Sequence, residues 1–361
     1  MENQLLSKSP LTVQTAESLL NFAEESVQKL RGVQSGVVLE QLDQRYDELL
    51  SAIQWFIGQK RTDEGLRLVS SLVPFWMATK RLVEGSVWFD QVLAMPGGDD
   101  VYRGRALFDA GYLAFWRGED ERSSSLQHLA LALGRQRDTP TIIALALVGL
   151  ARIALRTDIA EARRLCREAL TVTEGTADQA GRSSAMHVLA AAMQMAGDFL
   201  EARELMSQRI ALAHESGNLA TVSIESNNLS MVERQLGNFE EAEALVHEAL
   251  DINYRRGDNM SIPWNLNGLA AVAAELGDFD RAAMFIGAAD AAMEASGGAW
   301  PPDELAHYER TISVLRDELG SMAFARVRAV GHAMTTSEAV DFALGVRSAG
   351  RLRLPFEPEF E

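Results

Sequence analysis

With 361 residues and 47% hydrophobic side chains, the chain can bury a sizeable core, which excludes wholesale disorder. Acids outnumber bases 51 to 34, the formal charge is −17, and the lysines (Lys8, Lys29, Lys60, Lys80) are scattered. That balance argues against direct nucleic-acid binding, which needs clustered cations, and against docking on an anionic membrane.

The N-terminal stretch MENQLLSKSPLTVQ has no cationic start followed by an apolar core, and no later apolar run approaches the roughly 20 residues of a bilayer span. Cys166 is the only cysteine, so no internal disulfide forms and a reducing compartment is expected. The expectation is a cytoplasmic protein. Ala, Leu, Glu and Arg dominate and only 9 prolines interrupt them, which favours helix throughout; no alternating β-type run is present.

In chain order, apolar spacing predicts helices over Ala16–Leu30 and Leu39–Ile57. A hairpin of Gly65–Ala78 and Leu82–Leu93 follows, turning at Thr79-Lys80-Arg81. Pro96-Gly97-Gly98-Asp99-Asp100 reads as a loop between hairpins, after which helical patterning resumes at Val101.

The centre of the chain repeats. Thr157-Asp158, Gly197-Asp198, Gly237-Asn238 and Gly277-Asp278 recur every forty residues. In phase with them come Ile159, Phe199, Phe239 and Phe279, then Ala162, Ala202, Ala242 and Ala282, then Leu165, Leu205, Leu245 and Phe285. A degenerate copy begins near Gly118-Glu119-Asp120. Gly at a helix C-terminus adopts the left-handed conformation, and Asp or Asn caps the next helix. The Ala marks close helix approach, and the Leu or Phe fills the space between hairpins. Each unit reads as helix A, a tight turn, helix B and a link; a single hairpin cannot bury its own apolar stripe, so neighbours stack. In SIPW, Ser261 is expected to cap a helix A with Pro263 in its first turn.

This pattern resembles the tetratricopeptide repeat. A small residue stands twelve positions before the Ala of helix B at Ala190, Ser230 and Ala270, whereas Leu150 departs from the pattern and the period of forty exceeds the usual 34. The resemblance implies an all-α, right-handed superhelical solenoid of antiparallel hairpins, with helix A lining a concave groove. The expected organisation is an N-terminal helical cap with degenerate repeats over 1–100, repeats over 101–296, a C-terminal helical cap over 297–345 and a flexible tail over 346–361.

Past the break at Gly297-Gly298-Ala299-Trp300-Pro301-Pro302, helices are predicted over Pro302–Leu319, Met322–His332 and Ser337–Leu344, the last opening at Thr336 or Ser337 before Glu338. The segments LDQRYDELLSAIQWF and GLRLVSSLVPFWMATKRLVEGSVWFDQVLAM, and the ending from IGAADAAMEASGGAW to AVDFAL, resemble the sensor region of bacterial signal-transducing ATPase regulators of LuxR and SARP type. The phosphate-binding loop and the basic helix-turn-helix of such proteins are missing from this sequence. Met1 and the unrelated stretch Glu2–Pro10 favour a free-standing gene over an excised region.

No catalytic, cofactor or metal pattern emerges. His128, His187, His214, His247, His307 and His332 have no paired metal spacing, and Cys166 sits where the other copies carry Met206, Val246 and Ile286, a buried apolar position. The functional signal is on helix A. The family resemblance places Leu147, His187, Asn227 and Asn267, and then Ala144, Ser184, Ile224 and Trp264, toward the groove; four residues beyond the small residue lie Ala154, Gln194, Arg234 and Ala274. Asn227, Asn228 and Asn267 are helix-interior asparagines that local propensity disfavours. Their amides suit either gripping a polar ligand or bonding adjacent A helices together. Trp264 offers an apolar platform and Arg234 a positive charge, with Arg152 a weaker candidate. Met186, Met193 and Met231 suit a deformable pocket or plain core packing, and Phe75, Trp76, Trp88, Phe89, Phe115 and Trp116 suit an N-terminal core or a docking face.

These residues predict a regulatory binding module without enzymatic activity. A peptide or protein partner, or a small-molecule effector, would be held by His187, Asn227, Asn228, Arg234, Trp264 and Asn267. The alternatives are a scaffold, including a homodimer, that joins proteins through its ends or outer face, and an atypical enzyme of specialised metabolism working in the superhelical cavity.

Overall fold

A computed structural model describes residues 11–176, 178–295, 300 and 302–345. Among these, the regular elements are all α-helices. The chain divides into two compact units, Met1–Leu205 and Met206–Glu361.

The first unit opens with α1 (Val13–Lys29), α2 (Ser35–Gln44) and α3 (Tyr46–Gly58). The predicted helix over Leu39–Ile57 is thus two helices broken at Arg45 (φ −103°, ψ 10°). Then follow α4 (Thr62–Ala78), α5 (Leu82–Leu93), α6 (Asp100–Trp116), α7 (Asp120–Gln136), α8 (Pro140–Ala154), α9 (Ile159–Thr173) and α10 (Gln179–Ala196). Helices α1, α4, α6, α8 and α10 pack side by side as one layer. Phe75, Trp76, Trp88 and Phe89 are buried in the core of this unit, but Phe115 is only half-buried and Trp116 is exposed, so the aromatic core is smaller than predicted. The Trp76 indole N–H donates to the Tyr46 hydroxyl at 2.8 Å, which satisfies its one polar atom inside that core.

Helix α11 (Phe199–Glu215) runs across the boundary between the units. In the second unit, α12 (Leu219–Gln235) pairs with α13 (Phe239–Arg256), and α14 (Ile262–Glu275) pairs with α15 (Phe279–Ala295). The capping helices α16 (Pro302–Leu319), α17 (Ser321–His332) and α18 (Thr336–Ala343) pack on α15. Helix α18 starts at Thr336, the earlier of the two expected openings, with Thr335 and Glu338 forming the reciprocal capping box before it. The predicted tail over 346–361 lies outside the described residues.

The forty-residue period has its expected physical basis. Gly197, Gly237 and Gly277 all take the left-handed conformation, with φ of 83°, 81° and 81°. Asp158 and Asp278 accept hydrogen bonds from the first-turn amides of Glu161 and Arg281. Asn238 does not cap; its amide donates to the buried Glu233 at 2.6 Å. Ser261 does not cap either, because its hydroxyl is turned back onto Asp258 at 3.0 Å.

Ala162, Ala202, Ala242 and Ala282 are fully buried. The predicted filling position is buried in two copies, at Leu165 and Phe285, and half-buried at Leu205 and Leu245, whereas the next position along (Cys166, Met206, Val246, Ile286) is buried in every copy. Leu150, the large residue of the first copy, is half-buried, and the neighbouring Gly149 lies close to α7, where a Cβ would strike the side chain of the buried Gln127.

Candidate functional site

In the second unit the open side of the helix A layer can be read from solvent exposure. Along α12 the residues that are not buried recur at Thr221, Ile224, Asn227, Asn228, Met231, Arg234 and Gln235. That three-to-four residue spacing is one face of a helix. The other face is covered by α13 and α14. Along α14 the corresponding stripe holds Trp264, Gly268 and Ala274. Ile224 is 52% exposed, which makes it the most open apolar side chain of the α12 stripe.

At the edge of this stripe the asparagines form a chain. Asn253 Nδ2 on α13 donates to Asn265 Oδ1 on α14 at 2.9 Å. Asn265 Nδ2 in turn donates to Asn227 Oδ1 on α12 at 3.2 Å. Asn253 and Asn265 are buried, so each amide contact replaces water that these groups lose on folding. Asn227 therefore helps to lock α12 to α14, and its Nδ2 donates to no described residue. Asn228 is half-buried and makes no hydrogen bond through its side chain to a described residue. Asn267 is buried beside the stripe, and its Oδ1 has no hydrogen-bond partner among the described residues.

Arg234 contacts Glu275 through Nη2 at 3.4 Å, while its Nε is buried without a hydrogen-bond partner. Burial pulls this guanidinium below its usual range, partly offset by Glu275, with Arg310 adding repulsion. Trp264 is not an open platform. The Trp300 ring packs against it edge-on, with centroids 5.8 Å apart at 66°, and Trp300 stacks on Tyr308 at 5.0 Å and 24°. Tyr308 is anchored in turn: its hydroxyl donates to Asp290 Oδ1 at 2.6 Å, while Arg328 Nε donates to Asp290 Oδ2 at 2.8 Å.

Of the predicted site residues, Asn227, Asn228, Arg234, Trp264 and Asn267 thus fall on two adjacent helices of the second unit. His187 belongs to α10 of the first unit, where it is half-buried. Leu147 and Ala144 are buried rather than groove-facing, and Met186 and Met193 belong to the core; Met231 is half-buried. Arg152 lies over the Tyr112 ring at 5.4 Å.

Sequence reasoning missed Asn253 and Asn265, and also the buried Glu225 of α12, which accepts a charge-assisted bond from Arg209 Nη1. The available signal was helix-interior polarity in α12–α14, where SIESNNLS and WNLN place several acceptors on faces that apolar spacing assigns to the core. Cys166 is buried, and desolvation pushes its thiol up to about 12, as befits a core position. Among the described residues no group of three or more His, Cys, Asp and Glu is arranged to hold a metal ion. No described helix is long and apolar enough to cross a membrane.

Residues 221–289, which span α12 to most of α15, match the family model of the tetratricopeptide repeat. No curated protein matches the chain. Among solved structures, a Rap protein complexed with Competence and Sporulation Factor is similar over 88% of this chain and 99% of its own, with 12% identity and a TM-score of 0.52. Aspartyl phosphate phosphatase F from Bacillus subtilis is similar over 91% and 97%, with 10% identity and a TM-score of 0.51. A tetratricopeptide repeat protein from Parabacteroides merdae ATCC 43184 aligns over 84% and 99%, with 13% identity and a TM-score of 0.47. At such identities the likeness concerns the fold alone. The described residues thus form an all-helical repeat fold, and residues 221–289 match the tetratricopeptide repeat.

Proposed function

We propose that the protein is a non-catalytic binding module that holds a polypeptide segment along the open stripe of α12 and α14. One observation carries this reading. Asn227 Nδ2, the Asn228 amide, Asn267 Oδ1 and the Arg234 guanidinium gather on two adjacent helices with hydrogen-bonding capacity that the fold leaves unused. Buried or half-buried polar groups of this kind cost free energy unless a partner satisfies them. A peptide backbone supplies alternating donors and acceptors that match amide side chains, and Ile224 and Met231 offer apolar contacts beside them. Of the solved structures of similar fold, one holds a bound factor, in keeping with a binding role. A place in transcriptional or signalling regulation is part of the same proposal and rests on the resemblance to the sensor region of signal-transducing ATPases.

The test uses a photo-crosslinking amino acid at Ile224, with a control at the exposed Ala244 of α13. A polypeptide captured in host lysate from position 224 and not from 244 is the expected outcome. The crosslinked segment, made as a synthetic peptide, should then bind about tenfold more weakly to the Asn228→Ala/Asn267→Ala double variant, whose helicity stays that of the parent. Equal capture from both positions, or unchanged affinity in the double variant, would place the function elsewhere.

A further inference from the structure

One face of α6 carries Phe108, Tyr112 and Trp116, with successive ring centres 6.2 and 6.1 Å apart. On the neighbouring helix α8, the guanidinium carbon of Arg152 lies 5.4 Å from the centre of the Tyr112 ring. That contact orients the side chain, yet no carboxylate answers its charge. Arg152 is half-buried, its Nε is enclosed without a hydrogen-bond acceptor, and it forms no ion pair with a described residue. The arginines next in line are answered, Arg156 by Asp120 and Arg117 by Glu119 at 2.7 Å. Arg152 is thus an unpaired cation in a chain whose formal charge is −17.

The repeat itself does not call for a charge at this place. The amide that closes the turn after α6, α8, α10, α12 and α14 reaches back to the carbonyl of Ala114, Ala154, Met193, Glu233 and Ala273. Two residues before these acceptors stand Tyr112, Arg152, Ala191, Met231 and Ala271, so one helical position is uncharged in every copy but that of α8. Two residues beyond the first three acceptors stand Trp116, Arg156 and Met195. Trp116 and Met195 are 50% and 56% exposed. Because α6, α8 and α10 lie side by side in that order, Arg152 has an open aromatic side chain on one flank and an open thioether on the other.

A guanidinium that has given up part of its water and found no acceptor gains most from a carboxylate, which it meets with charge-assisted hydrogen bonds. Arginine and tryptophan are also the side chains that most often dominate protein contacts. Apolar groups on both flanks of the cation call for apolar groups on both flanks of the anion. An Asp or Glu inside a polypeptide supplies them; a chain terminus, apolar on one side only, does not.

We propose that this face of α6, α8 and α10 docks a polypeptide segment in which one Asp or Glu stands between apolar residues. Its carboxylate meets Arg152, and its apolar neighbours cover Trp116 and Met195. The face lies wholly in the first unit and is independent of the α12–α14 stripe.

The test pans a phage-displayed library of random peptides against the full chain and synthesises the enriched sequences. Peptides with one Asp or Glu between apolar residues are expected among them, and replacing that residue by its amide should weaken binding about tenfold or more. Arg152→Met should weaken the same peptides about tenfold, Trp116→Ala about fivefold, and the Asn228→Ala/Asn267→Ala double variant not at all. Arg152→Met breaks no ion pair with a described residue, and Trp116 lies outside the core, so both variants should keep the helicity of the parent. Should Arg152→Met fail to fold, the acid-to-amide exchange in the peptide and Trp116→Ala decide the matter. Absence of such peptides, equal binding of the acid and amide forms, or undiminished binding in Arg152→Met or Trp116→Ala would overturn the proposal. So would binding lost in the Asn228→Ala/Asn267→Ala variant, which would assign these peptides to the α12–α14 stripe.

Discussion

Asn265 on α14 and Asn227 on α12 are joined by a side-chain amide bond of 3.2 Å, and Asn265 takes its own donor from Asn253 on α13. One buried asparagine therefore ties three helices of the second unit together. Asn265→Ala would strand the Asn253 donor and the Asn227 acceptor, so it should cost about 2 kcal/mol of stability in urea unfolding. Asn228→Ala breaks no described hydrogen bond, and it should change stability by less than about 0.5 kcal/mol. Equal losses in the two variants would contradict the chain of amides.

The packing of α15 on α17 predicts a second contrast. A Cβ on Gly287 would overlap the carbonyl oxygen of Arg328, and one on Gly331 would overlap the carbonyl oxygen of Met284. Both obstacles are backbone and cannot rotate away. Gly287→Ala or Gly331→Ala should therefore cost about 3 kcal/mol or more. At Gly277 nothing lies within 4 Å and only φ of 81° resists a side chain, so Gly277→Ala should cost about 1 kcal/mol. Thermal unfolding of the three variants checks the order.

Cys166 is fully buried, and its thiol is pushed up to about 12 by desolvation. Little thiolate exists at pH 8, and the sulfur is not accessible. The native protein should leave a thiol-specific disulfide reagent unconsumed over an hour and react with one equivalent once unfolded in guanidinium. Labelling of the native protein within minutes would show that the position is open.

His247 gives a pH dependence. Its Nε2 is buried without a hydrogen-bond partner, and desolvation, against Glu243 and with Arg281, lowers its pKa from 6.5. A histidine that is harder to protonate when folded lets the unfolded chain bind more protons as pH falls. Its contribution is present above pH 6.5 and is lost as pH falls below that value toward the folded pKa. In the window just below pH 6.5, the stability of the parent should fall more steeply than that of His247→Gln. Parallel curves would show that His247 is not the group responsible.

The local devices of the fold were legible in the chain itself. Gly197, Gly237 and Gly277 mark turns because glycine takes the left-handed backbone at least cost, and the fully buried Ala162, Ala202, Ala242 and Ala282 mark the positions where a small side chain recurs. The candidate site was half legible. Asn227 and Asn267 stood out as asparagines inside helices, but whether their amides were already spent depended on residues up to 38 positions away.

The sequence alone therefore determined the helical period, the turns and the small-residue contacts, since these depend on backbone conformation and on spacing along one or two helices. Tertiary structure alone decided that Asn265 rather than Asn267 ties α12 to α14, and that Trp300 packs against Trp264. Each of these outcomes turns on which side chain reaches its partner from another helix. Hydrogen bonds and ring contacts are settled over a few tenths of an ångström, which spacing along the chain does not specify.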